Sequence, residues 1–374
     1  MTRMKKTMHA TLIPAGLLLL GAALALPAAA EAQGCGYQYV AAADAIPAGK
    51  EVSESERYPN QLMERHLKTW GAWCLYDIAK DGTTSSTYIT GGQLAQTWNY
   101  RPDLITLTVG EQNNTIKDLV GSCFDKVKSH DFAGATACAS AILGNATLFS
   151  NLQSNLTTTF QQHRMLMSGK PKLVVAVTGY PNPYPKALDA SAKIAELCTP
   201  LIDTIPTCTA RWAQLPAALD LIDQVFKKLN KTIADAVSPF AYASAGRFVY
   251  VNTYDKMRDH CMKMEVSFET KVYHPEQNST HDHNSPYAVN FGCSDNWFVE
   301  GETGRDSPWY LIPAVNGVLV YYAQKTEKMG VWPDADGHKC IADLVWEADT
   351  IDPGTTPLKW KLGIPEPPKT DICQ

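Results

Sequence analysis

Leu104-Ile105-Thr106-Leu107-Thr108-Val109-Gly110-Glu111-Gln112-Asn113 opens with six apolar or β-branched residues in a row, then breaks at a glycine into polar residues. A run without polar alternation, closed by a turn residue, describes a strand buried on both faces of a parallel sheet. Four similar runs flank it: Tyr37–Ala43, Ala72–Ile78, Lys172–Thr178 and Arg247–Thr253. Between them lie helical patterns at Asn60–Trp70, Thr115–Val127, Leu148–Met167 and Leu215–Ala236, with a last one at Gly337–Glu347. Leu219, Ile222, Val225, Phe226 and Leu229 of the fourth keep helical spacing. Strand–helix alternation predicts an α/β fold, a doubly wound parallel sheet of about five strands in a three-layer α/β/α sandwich. Ligands on such sheets sit beyond the carboxyl ends of the strands, so the residues after each strand are the ones that carry chemistry.

Those residues form four segments. The first strand leads into Tyr39-Val40-Ala41-Ala42-Ala43-Asp44-Ala45-Ile46-Pro47-Ala48-Gly49, and the third into Gly110-Glu111-Gln112-Asn113. The fourth strand ends in Thr178-Gly179-Tyr180-Pro181, and near the C-terminus stands Trp332-Pro333-Asp334-Ala335-Asp336-Gly337-His338-Lys339-Cys340-Ile341-Ala342. In order and spacing these resemble the blocks of secreted SGNH (GDSL-type) hydrolases, esterases and lipases. That family reads Y-V-A-L-G-D-S-x-x-x-G, L-V-T-L-T-x-G-G-N-D, G-Y-P and H-P-N-x-x-G-H-x-x-x-A. The resemblance spans Tyr39 to about Val345, and Cys123 matches a cysteine that follows the third block. It implies a flavodoxin-like strand order and, in typical members, ester hydrolysis without a cofactor.

Ester hydrolysis of this kind needs a serine nucleophile, a histidine to take its proton, and N–H donors for the oxyanion. Carried over block by block, the nucleophile position is Ala45, which has no nucleophilic atom. The histidine position is Trp332, whose indole N–H only donates. The oxyanion glycine falls on Asp81 or, one residue on, Gly82, and the oxyanion asparagine on Gln112 with Asn113 beside it. Asp44 keeps the aspartate of the first block, a structural residue in the family. His338 matches the second histidine of the last block, a side chain expected to cap or pack the last helix rather than reach the cleft; with Asp44, Gln112, Asn113 and Trp332 it is a candidate for the cleft lining. Loss of one triad member costs orders of magnitude in rate, so loss of two predicts that the mechanism is gone. Ser53 and Ser55 lie among Glu51, Glu54 and Glu56 in a polar stretch that reads as a solvated loop.

The beginning of the chain reads as an export signal, residues 1–32, ahead of one domain over 33–374. Arg3, Lys5 and Lys6 precede an apolar run that Pro14 and Pro27 interrupt, and Ala30-Glu31-Ala32 is a small-x-small cleavage site. Those residues hold three of the 33 basic and one of the 38 acidic side chains, so cleavage shifts the net charge from -5 to -7. An acidic chain without a basic, aromatic-studded cluster disfavours nucleic acid. No second long apolar segment predicts a membrane span. All ten cysteines follow the cleavage point, an even number that in an exported chain predicts five disulfides. Pairing of neighbours gives Cys35–Cys74, Cys123–Cys138, Cys198–Cys208, Cys261–Cys293 and Cys340–Cys373. Sequons at Asn113, Asn145, Asn155, Asn230 and Asn278 are candidate glycan sites, and a glycan on Asn113 would obstruct the cleft. His274, His281, Asp282 and His283 have metal-ligand chemistry, but Pro275, Glu276, Asn278 and Asn284 around them read as an exposed loop, so no metal site is expected.

Two functional readings follow. In the first, the chain is a secreted, catalytically dead relative that binds a glycan or acyl ligand in the relic cleft, or assembles with itself or other extracellular proteins. In the second, it is a working carboxylic-ester hydrolase with relocated catalytic residues. Trp332 and other late aromatics, Trp297, Trp309, Tyr321 and Tyr322 among them, are core residues in either reading, with Trp332 also a candidate stacking surface.

Overall fold

The computed structural model describes residues 34–110, 116–129, 131–191, 210, 212–244, 247–261, 263–274, 279–292, 305–306, 310–315, 318–327 and 332–348. The export signal expected over residues 1–32 lies outside them. Five parallel strands form the central sheet: β1 (Tyr37–Ala43), β2 (Trp73–Asp77), β3 (Leu104–Thr108), β4 (Val174–Thr178) and β5 (Phe248–Val251). Their order is β2-β1-β3-β4-β5, the flavodoxin-like arrangement, and it reverses between β1 and β3. Each strand lies within two residues of its sequence-predicted run. β1 is paired on both sides, with Val40 opposite Tyr76 on one neighbour and Ile105 on the other. Every residue of β3 and β4 is buried, which is why those segments lack alternation.

The helices are α1 (Tyr58–Arg65), α2 (Ser85–Thr90), α3 (Gln93–Tyr100), α4 (Ile116–Lys128), α5 (Phe132–Gly144), α6 (Ala146–Gly169), α7 (Leu215–Ala243), α8 (Thr253–Lys256) and α9 (Ala335–Trp346). The first and last of the long helices, α1 and α9, pack together, whereas α4, α5 and α6 pack on α7. With right-handed crossovers, this partition covers the two faces of the sheet and gives the three-layer sandwich. Asp334 caps α9, its carboxylate accepting from Gly337 N at 2.9 Å. The predicted helix at Asn60–Trp70 is instead α1 followed by a 3-10 turn at Leu67–Trp70. Among the described residues no single helix is long and apolar enough to cross a membrane.

Disulfides join Cys35 to Cys74 and Cys123 to Cys138; the first fixes the start of the unit to β2, the second ties α4 to α5. Cys261 and Cys340 are also disulfide-bonded. The pairings expected for them with Cys293 and Cys373, and the pairing Cys198–Cys208, involve cysteines outside the described residues.

Of the segment read as an exposed loop, His274, Ser279, His281, Asp282, His283 and Asn284 are in strands, and residues 275–278 lie outside the described residues. The strands belong to a second, antiparallel sheet of β6 (Lys263–His274), β7 (Ser279–Gly292), β8 (Arg305–Asp306), β9 (Tyr310–Val315) and β10 (Val318–Glu327). The order is β7-β6-β10-β8, with β9 also paired to β10. His281, Asp282 and His283 stand opposite Val272, Lys271 and Thr270.

Candidate functional site

The chain leaves β1 through a constrained turn. Ala43 has φ +91°, a conformation that L-residues other than glycine rarely adopt. Gln93 holds it from the side: Ala43 N donates to Gln93 Oε1 at 2.9 Å, and Gln93 Nε2 donates to Ala43 O at 3.2 Å. In the block that this turn resembles, glycine stands at this position. Left-handed backbone costs an L-residue about 1–2 kcal/mol, and glycine loses roughly 0.5–1 kcal/mol more on folding than alanine. Ala43→Gly is therefore expected to stabilise the protein by about 0.5–1 kcal/mol, read as a higher urea midpoint at constant slope. An unchanged or lower midpoint would show that the turn is unstrained.

Asp44 follows, almost wholly buried, with Oδ1 accepting from Ile46 N at 3.3 Å and Oδ2 accepting from the hydroxyl of Tyr180. The aspartate of the first block thus ties the β1 turn to the Gly179-Tyr180-Pro181 turn after β4, and it lies behind the cleft wall rather than on it. Ala45 is buried beside it. Asp81 and Gly82 form an exposed turn after β2, with Gly82 at φ +81°. The Asp81 carboxylate pairs with Lys50 Nζ at 2.9 Å, and the same ammonium lies 4.9 Å from the centre of the Trp332 ring. Gln112 and Asn113 lie outside the described residues. Ser53 and Ser55 are exposed and bond to each other at 3.2 Å, in a solvated turn that Glu56 closes.

Three of the four blocks meet around one cavity of about 370 Å³, to which Ile46, Tyr180 and Trp332 each contribute. It lies at the carboxyl ends of β1 and β4, where a doubly wound sheet places a ligand. Much of the rest of its wall comes from α4, the helix after β3. Asp118, Gly121, Ser122 and Asp125 line it at helical spacing, so one face of α4 is turned to the cavity. Tyr184 and Phe226 add aromatic surface, with Tyr184 packed on Phe124 at 4.2 Å between centroids and the rings tilted by 33°. The α4 stripe was not foreseen from sequence; its signal is the spacing of short polar residues along the helix that follows the central strand.

His338 does not line the cleft. It is fully buried, and its Nδ1 accepts from Tyr58 N at 3.2 Å, which leaves the proton on Nε2. Burial pushes its pKa down to about 3, with a smaller contribution from Arg57. Its position in the first turn of α9 points it at α1, so it joins two helices. Asn230 is likewise not a glycan site: it is buried, and its Nδ2 donates to Tyr180 O at 2.8 Å and Phe226 O at 2.9 Å. A glycan on that nitrogen would break both bonds. Asn145 is exposed and caps α6 through Oδ1, with Leu148 N at 3.1 Å, so its amide nitrogen stays open to modification. Asn155 is half-buried on the same helix, while Asn113 and Asn278 lie outside the described residues.

No family model and no curated protein matches the chain. Among solved structures it is similar to an extracellular lipase from Streptomyces rimosus, at 18% identity and a TM-score of 0.38, over 60% of this chain and 84% of that one. A lipase from a goat rumen metagenome gives 17% identity and a TM-score of 0.36, over 60% of this chain and 86% of that one. A family 3 carbohydrate esterase from Clostridium thermocellum gives 12% and 0.32, over 59% and 79%.

Proposed function

We propose that the chain is an exported SGNH-type pseudoenzyme, an extracellular binding or assembly protein that has lost esterase activity. One observation carries the reading: no imidazole lines the cavity among the described residues, and its only serine, Ser122, donates its hydroxyl to Asp118 O at 2.8 Å. Acyl transfer by a serine needs that hydroxyl bonded to a base. The buried histidines are occupied elsewhere. His66 bonds Asp343 Oδ1 at 2.7 Å, His163 bonds the Tyr88 hydroxyl at 3.0 Å, and His338 binds α1. Ala45 and Trp332 stand at the nucleophile and base positions of the resemblance. The disulfides support export, since such bonds persist in oxidising compartments.

The competing reading, a hydrolase with relocated residues, makes Ser122 the natural nucleophile. Short-chain p-nitrophenyl esters separate the two. The expected result is no turnover by the wild type above buffer, and no difference in Ser122→Ala. Turnover that Ser122→Ala abolishes would replace the binding reading with the hydrolase.

A further inference from the structure

We propose that Lys50 is a salt-releasable latch that holds the Trp332 indole across the relic cleft, keeping the cavity apart from the positions where the family resemblance expects chemistry; this rests on the pseudoenzyme reading. Three of those positions meet at this one residue. Its backbone N–H donates to Ala45 O at 3.2 Å, and its Nζ pairs with the Asp81 carboxylate at 2.9 Å. The same Nζ lies 4.9 Å from the centre of the Trp332 ring, within the range of a cation–π contact. A working hydrolase keeps the space among nucleophile, oxyanion donors and base open for the reacting carbonyl. Here an ammonium bridges Asp81 and Trp332 instead, and its own backbone is bonded to the nucleophile position.

The turn is shaped to present that side chain. Gly49 and Glu51, on either side of Lys50, have φ +63° and +72°. Left-handed backbone is unfavourable for a residue such as Glu51 and persists only where surrounding contacts impose it. They do so here: Gly49 N donates to Ile46 O at 3.0 Å, Val52 N donates to Gly49 O at 3.2 Å, and Arg57 packs where a Cβ on Gly49 would stand. The backbone therefore fixes where the Lys50 side chain starts. The indole is a partition: Trp332 lines the cavity with Ile46 and Tyr180, whereas Lys50 and Asp81 are not in its wall. The Lys50 and Asp81 side chains are 35% and 45% exposed, so dissolved salt reaches and screens their pairing. Apolar packing of the indole is not weakened by screening, so the latch has a signature that packing alone lacks.

Fluorine NMR of the purified protein labelled with fluorotryptophan tests this, with the Trp332 resonance assigned as the one missing from Trp332→Phe. The shift of that resonance between H2O and D2O reads how far solvent reaches the indole. In Lys50→Met, which keeps the length and apolar stem but removes the charge, the solvent-exposed fraction is expected to rise about fivefold. Wild type should move the same way as NaCl rises to about 1 M, where the screening length falls to about 3 Å. Lys50→Arg should restore the closed value. An unchanged isotope shift in Lys50→Met, with or without a lower melting temperature, would overturn the latch and leave Lys50 a covering residue only. A wild-type shift that ignores salt would overturn it too, and that measurement needs no variant to fold. Failure of the underlying reading looks different, because it appears as ester turnover by the wild type.

Discussion

Asn230→Ala is expected to destabilise the protein by about 2–4 kcal/mol, the larger of the two substitution effects considered. The residue sits inside α7 and is the junction of three elements. Its Oδ1 accepts from Tyr180 N at 2.8 Å and from the Tyr250 hydroxyl at 3.1 Å, so the turn after β4 and strand β5 both depend on it. Its Nδ2 donates to Tyr180 O and Phe226 O. Alanine would remove the Asn230 bonds to both Tyr180 N and Tyr180 O in a buried place, and losing a partner there costs about 1–3 kcal/mol each. The neighbouring glycine shows how tightly the site is filled: a Cβ on Gly179 would clash with Asn230 Oδ1 and lie 2.6 Å from the Tyr250 hydroxyl. Asn230→Asp should fall between wild type and alanine, because it keeps the acceptor and loses both donations. Urea denaturation measures the difference; a loss under about 1 kcal/mol for alanine would mean that water replaces the amide, and the turn is less dependent on α7 than the geometry indicates.

The second large effect is on pH. His338 and His163 are both buried with pKa values lowered to about 3, burial being the first cause in each. An unfolded histidine titrates near 6.5, so between about pH 6.5 and 3 the unfolded chain binds protons that the folded chain refuses. Stability is therefore fully present above pH 6.5 and is lost as pH falls through that window, at up to about 1.4 kcal/mol per pH unit for each histidine. Melting temperature should drop steeply from pH 7 to pH 4.5. In His338→Gln, where the amide oxygen still accepts from Tyr58 N, the slope should shrink by about half. An unchanged slope would place the proton-linked loss in the carboxylates instead.

The fold was legible where burial is two-sided. Leu104–Thr108 and Val174–Thr178 have no polar residue to interrupt them apart from threonine, and a strand buried on both faces has no other pattern to show. The second sheet was missed although its signal was present: Met264, Val266 and Phe268 alternate with Glu265, Ser267 and Glu269, the period of a one-sided strand. The polar residues near its hairpin drew the reading toward a loop. Helix α5 was also missed, because its alanine-rich Phe132–Gly144 segment carries no strong apolar stripe, and its Asp131 cap was the usable cue.

The site was legible only in part, for a physical reason. Which residues follow a strand is a local fact, so the turns after β1 and β4 could be named in advance, and Tyr180 lines the cavity while Asp44 packs behind its wall. Which way a helix face turns is set by its packing against other elements, and that hid the Asp118–Asp125 stripe, while His338, expected to cap or pack the last helix, packs against α1. A sequon likewise says nothing of burial, and Asn230 is spent on the turn beneath the cleft.

Fluorophosphonate labelling of the wild-type protein, followed by mass spectrometry of the peptides, tests the central claim most directly. The account predicts no adduct on any serine, because no described serine at the cleft has a base to take its proton. An adduct on Ser122, or on any other single serine at sub-stoichiometric probe, would contradict it and would identify the nucleophile of a working hydrolase.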